Sequence, residues 1–98
     1  MDYTVNWTSR ALAEFADAVR YIAVDDPVAA ERFRNAVLLA TESLGSLPYF
    51  GSRYEPSRDR RVREILCLPY RIFYRPIDSR RIVEVLTIWH GSRREPVL

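Results

Sequence analysis

A chain of 98 residues, 48% hydrophobic and 12% aromatic, holds enough apolar material for one packed core, which excludes wholesale disorder, so residues 1–98 are read as a single domain. No apolar run reaches the roughly 20 residues of a bilayer span, the first ten residues lack the pattern of a secretion signal, and the lone Cys67 permits no internal disulfide, so a cytoplasmic protein away from membranes is expected. All fifteen basic residues are arginine, as a GC-rich genome alone would produce, but residues 1–52 carry 4 − 7 = −3 and residues 53–98 carry 11 − 6 = +5, which points the second half toward an anionic partner.

The alternating, β-rich stretch from Tyr3 to Trp7 predicts a short strand. Thr8 and Ser9 are candidate caps for a helix from about Ser9 to Ala23, with Leu12, Phe15, Val19 and Ile22 at helical spacing beside Ala11 and Ala18. Asp26 followed by Pro27 opens a second helix, whose stripe is Ala29, Phe33, Ala36, Val37, Ala40 and Leu44, and Gly45 is placed to end it. So short a link makes the two helices an antiparallel hairpin. Residues 46–60, with two prolines and a glycine, read as a loop. Three strand-like runs follow, RVREILCL, YRIFYR and RIVEVLTIWH, separated at Pro69 and at Pro76 with IDSR. The fold class is therefore α+β: an N-terminal strand, a helical hairpin, then a three-stranded antiparallel meander with both helices on one face of the sheet.

Strand parity puts Arg71, Phe73 and Arg75 on one face and Tyr70, Ile72 and Tyr74 on the other. Because unpaired arginines are costly to bury, the Arg71/Arg75 face is expected to be the open one, its guanidinium groups available to an anion. On the last strand Ile82, Glu84, Leu86, Ile88 and His90 should share one side, and Val83, Val85, Thr87 and Trp89 the other.

No phosphate loop, paired cysteines, HExxH or G-x-S-x-G motif is present, and one His with one Cys makes no standard zinc site, so neither metal nor cofactor is expected. Cys67, inside an apolar strand, reads as an inert core thiol. His90, the only histidine, could act as acid or base in cleavage beside a ribose 2′-hydroxyl, with Arg71 and Arg93 stabilising the phosphate charge. Without an evident carboxylate partner, the reading as a structural hydrogen bond at a strand end leads. Arg58, Arg60, Arg61, Arg63, Arg75 and Arg94 are further candidates for anion binding, though the loop members read equally well as solvated charge.

The segments VNWTSRALAEFADAVRYIAVDDPVAAERF, LPYFGS, REILCLPYRIFYR and VEVLTIWHGSRRE, taken in order, resemble the RelE/ParE superfamily of type II toxin–antitoxin toxins. The resemblance runs from about Val5 to Arg94. Its most specific parts are W-T-x-x-A-x-x-E-F, P-x-x-G in the loop, Y-R-I-F-Y-R and the terminal H-G-x-R. It implies a cytoplasmic toxin neutralised by a cognate antitoxin whose disordered segment wraps it, in a homodimer or hetero-oligomer. Two activities follow from it: a ParE-like inhibitor of DNA gyrase, or a RelE-like ribosome-dependent endoribonuclease cutting mRNA with His90, Arg71 and Arg93. The strand-end H-G-x-R and the helix YIAVDDPVAAERF look closer to the ParE-like branch, and no tyrosine follows His90. A non-toxic interaction module that keeps the fold is a third reading. In each case Arg58, Arg60, Arg61, Arg63, Arg71, Arg75 and Arg94 would meet the target or the antitoxin.

Overall fold

The computed structural model describes residues 2–98. Strand β1 (Thr4–Trp7) leads into helix α1 (Ser9–Asp25), two residues longer than its stripe suggested. Thr8 is the cap: its Oγ1 accepts the Ala11 N–H at 3.0 Å and donates to the Leu86 carbonyl at 3.1 Å, fixing the helix start to the last strand. Helix α2 (Pro27–Ser43) opens as expected, with the Asp26 carboxylate accepting the Ala29 N–H at 3.0 Å and proline in the first turn.

The buried faces differ in detail from the predicted stripes. Along α1 the fully buried positions are Ala11 and Ala18, while Leu12 is 54% exposed. The small Ala11 and Ala18 are enclosed in the core, and the larger Phe15, Val19 and Ile22 pack against it partly buried. On α2, Ala30, Phe33, Val37 and Thr41 face inward and Ala36 is exposed. Thr41 is buried without penalty because its hydroxyl bonds the Val37 carbonyl at 2.9 Å. After α2 the chain passes against β1 at Gly45, whose carbonyl accepts the Tyr3 N–H; a Cβ there would stand 2.8 Å from the Tyr3 oxygen, so only glycine fits.

One five-stranded sheet has the order β1-β5-β4-β3-β2, formed with β2 (Ser52–Arg53), β3 (Arg63–Cys67), β4 (Tyr70–Ile77) and β5 (Ile82–His90). β3, β4 and β5 form the antiparallel meander, and β1 pairs parallel with β5 from Thr4↔Ile82 to Trp7↔Val85, making the sheet mixed. β5 is thus internal, as its two apolar faces required. The two-residue β2 falls in the stretch expected to be loop. β4 also continues through Pro76, which pairs with Val83, and the turn comes later, at Asp78–Arg81. β3 has already ended opposite Tyr74, so at Pro76 no ladder bond on that side is lost for want of an N–H.

A bulge corrects the parity of β5. Opposite Phe73–Tyr74, pairing jumps from Thr87 to Val85 and leaves Leu86 as the extra residue. Beyond it the alternation is reversed: Ile88 joins Val83 and Val85 in the core beneath the helices, while Leu86 and Trp89 pack on the other side of the sheet. That second side is not bare. Loop residues Tyr54 and Val62, with Leu98, cover Phe73, Leu86 and Trp89 in a smaller core of their own. The helices do occupy a single face, but the expected open face is roofed by residues 54–62 and 94–98. No described helix is long and apolar enough to cross a membrane.

Candidate functional site

His90 ends β5 opposite Tyr70, on the helix side of the sheet, with the two rings edge to face at 5.1 Å. The Ser92 N–H donates to His90 Nδ1 at 3.1 Å and Ser92 Oγ lies 2.7 Å from the same nitrogen. A backbone N–H can only donate, so Nδ1 accepts and the proton of the neutral ring belongs on Nε2. Gly91 makes the turn, its N–H bonded to the Pro69 carbonyl at 2.8 Å. The ring borders a shallow groove of about 270 Å³ lined also by Glu14, Asp17, Tyr21, Tyr70 and Arg93. Among the described residues no carboxylate hydrogen-bonds it. Glu14 is engaged elsewhere, accepting from the Thr87 hydroxyl at 2.6 Å and the Ile88 N–H at 3.2 Å.

Arg71 lies on the opposite face, because neighbouring positions on β4 point to opposite sides. Its guanidinium stands 4.8 Å from the Phe73 ring centre and 5.9 Å from that of Tyr54. Nε and Nη2 bind Glu64 at 3.0 and 3.1 Å, while Nη1 and Nη2 bind Glu95 at 2.6 and 3.3 Å. With the side chain only 15% exposed, the expectation of an available guanidinium does not hold: one cation is enclosed by two carboxylates. Hydrogen bonds from Arg71 hold the Glu95 carboxyl below the usual carboxylate range, and the same contacts, Glu95 first, push the guanidinium up.

Arg75 is likewise committed, with Asp59 at 2.8 Å on one side and Glu84 at 2.8 Å on the other. The arginines of residues 58–63 do not form a cluster. Arg61 grips Asp59 through Nε and Nη2. Arg63 donates to the Tyr49 and Gly51 carbonyls and lies 5.1 Å from the Tyr49 ring centre. Arg58 and Arg60 are exposed and make no ion pair among the described residues. Arg93 stacks on Trp89 at 3.7 Å, with Arg10 5.8 Å from the same ring, and Arg94 offers its carbonyl to the Trp89 indole N–H at 2.9 Å.

Residues that sequence reasoning passed over therefore organise the sheet's second face: Glu64, Glu95, Asp59, Glu84, Tyr54, Ser57 and Trp89. Tyr54 donates to the Pro96 carbonyl at 2.7 Å and Ser57 to a Leu98 backbone oxygen at 2.8 Å. Strand register could have exposed the Arg75–Glu84 pair, which is directly opposed; the contacts from the loop had no local signal. Burial pushes the Cys67 thiol up, the reverse of an activated nucleophile. No three His, Cys, Asp or Glu side chains converge as metal ligands among the described residues.

Residues 5–95 match the sequence profile of the ParE toxin of the type II toxin–antitoxin system parDE. Comparison with curated proteins gives no match. Among solved structures, the chain is similar to the chromosomal ParDE toxin–antitoxin system from P. aeruginosa, with a TM-score of 0.73 at 19% identity over 90% of this chain and 95% of that one. It is also similar to the RelBE2 toxin–antitoxin complex from Mycobacterium tuberculosis, at 0.68 and 22% over 92% and 99%. The isolated RelE toxin of E. coli gives 0.62 and 20% over 95% and 88%. At these identities the structural likeness speaks for the fold.

Proposed function

Because the chain belongs to the ParE toxin family of type II toxin–antitoxin systems, we propose that it arrests growth by binding DNA gyrase in the cytoplasm, without cutting RNA, and is held inactive by a cognate antitoxin. The observation that carries the choice of mechanism is the placement of His90 and Arg71 on opposite faces of the sheet. Cleavage by a ribose 2′-hydroxyl needs a proton-transfer group and a cation converging on one phosphate, within hydrogen-bond reach of it. Here His90 and Arg71 are separated by the backbone, and Arg93, which lines the groove beside His90, is stacked on the Trp89 ring at 3.7 Å. Arg71 also has four of its N–H···O contacts taken by Glu64 and Glu95. One guanidinium between two carboxylates leaves a local charge of −1, which repels a phosphate.

An antitoxin partner is supported by the similar toxin–antitoxin structures and by unburied apolar side chains on this chain. Phe50 and Leu68, 73 and 79% exposed, lie beside α2 residues where α2 borders β3, and Leu66, 62% exposed, stands on the other face opposite Arg71. Such surface is covered when a disordered segment folds upon it. The discriminating experiment is induction of the protein in bacteria, with and without the neighbouring reading frame that would encode the antitoxin. Gyrase inhibition predicts a DNA-damage response with intact mRNA, abolished by the antitoxin, and a His90→Ala variant that still arrests growth. Cleavage of mRNA within codons, lost in His90→Ala, would overturn the proposal in favour of a RelE-like endoribonuclease. Absence of any growth defect would favour a non-toxic module.

A further inference from the structure

Residues 94–98 lie in a trough that is built for them. Four groups on three different parts of the chain hold this short stretch. The Trp89 indole donates to the Arg94 carbonyl, Arg71 takes the Glu95 carboxylate, Tyr54 donates to the Pro96 carbonyl, and Ser57 donates to a Leu98 backbone oxygen. Pro96 is buried and Leu98 packs in the small core with Phe73, Leu86 and Trp89, whereas Val97 between them is 96% exposed. From Pro96 to Leu98 that alternation is how an extended segment presents itself to a surface, and the carbonyls of the stretch meet fixed donors. The floor is aromatic and does not depend on the tail for its shape, since Tyr54 and Phe73 contact each other edge to face at 4.7 Å and Arg71 is anchored independently by Glu64.

We propose that this trough is a binding site for an extended peptide segment with one carboxylate followed by small and apolar residues, and that residues 94–98 fill it in cis. Three of the four polar contacts are made to backbone oxygens, so a different sequence with a carboxylate in the Glu95 position would satisfy them equally. The trough also continues beyond the tail. A hollow of about 340 Å³ borders Leu98, lined by Thr8, Arg10, Asp59, Val62, Arg75 and Leu86. A segment running on past the position of Leu98 would meet Arg10 there. The inference stands apart from the gyrase reading, since it concerns what the trough holds and not what the toxin arrests.

The test uses the full chain carrying Glu95→Lys, which places two cations face to face and releases the tail, together with a fluorescent peptide of residues 92–98, SRREPVL. Glu95 is largely exposed, so the variant should keep its fold; if it melts, Glu95→Gln, which changes no volume, replaces it. Anisotropy should show the peptide binding the variant at least about tenfold more tightly than the wild-type chain, whose own tail competes intramolecularly. A peptide with glutamine in place of its glutamate should bind about tenfold more weakly, and Tyr54→Phe in the protein should weaken binding while leaving the ring in place. The indole resonance of Trp89 should shift on titration and that of Trp7 should not. Equal uptake of a scrambled peptide, or no uptake by the folded variant, would overturn the proposal. Neither outcome touches growth arrest, so the failure of this site is distinguishable from failure of the toxin mechanism.

Discussion

Asp59 stands between Arg61 and Arg75, and their hydrogen bonds, Arg61 first, hold its carboxyl well below the ordinary range against the opposing effect of burial. Asp59→Asn should cost about 1 kcal/mol at neutral pH, roughly 4–8 °C in Tm for a domain of this size. The sign of the pH dependence follows from the depressed value. The contribution is complete above the unfolded-state pKa near about 4 and is lost as pH falls through the folded-state pKa. Thermal melts of wild type and variant should therefore differ at neutral pH and converge below about pH 4; a constant gap across that range would contradict the assignment. This contact was not legible in the sequence, because Asp59 lies in a loop whose path only tertiary packing sets. The Arg75–Glu84 pair was closer to hand: a hairpin turning at Asp78–Arg81 opposes those two residues directly, and only the reading of Pro76 as the turn concealed it.

Among the elements, β5 shows how a side chain can stand in for a strand. Strand β1 stops at Trp7 opposite Val85, and Thr8 then uses its N–H and hydroxyl on the Val85 and Leu86 carbonyls. Beyond that point the β5 edge has no neighbouring strand, and Glu14 of α1 accepts the Ile88 N–H and the Thr87 hydroxyl instead. Glu14→Ala should leave these buried donors unpaired, lowering stability by about 1–3 kcal/mol and speeding amide exchange at Ile88, whereas Glu14→Gln, which keeps an acceptor oxygen, should retain most of both. Unchanged exchange in the alanine variant would show that the edge is satisfied another way. Both helices, their caps and the three meander strands were readable from spacing and punctuation, because those signals are local. The bulge at Leu86 was not, and it is what moved Ile88 and Trp89 to the faces opposite those expected. Period-two arguments carry across a strand only while every residue is paired.

Across the whole molecule, the +5 excess of residues 53–98 includes arginines that the fold pairs internally. Arg71 and Arg75, chosen for their place on the sheet, are the ones folded into ion pairs. Arg58, Arg60, Arg80, Arg93 and Arg94 have no carboxylate partner among the described residues and are exposed. On the proposed function, encounter with an anionic surface on the target falls to these and not to the enclosed pair. Removing exposed charge costs little stability, so the double variant Arg58→Ser, Arg60→Ser should blunt growth arrest while moving Tm by no more than about 2–4 °C. Arg71→Ala should behave differently: it leaves Glu64 and Glu95 facing each other without a cation and should lower stability by about 2 kcal/mol after allowance for the exposure of Glu95, so that any loss of arrest there follows loss of folded protein. Growth assays paired with melts of each variant separate the two effects. If the double variant arrests growth as strongly as wild type while a folded Arg71 variant does not, the solvent-facing loop is irrelevant to the target, and activity must pass through the trough that the tail now closes.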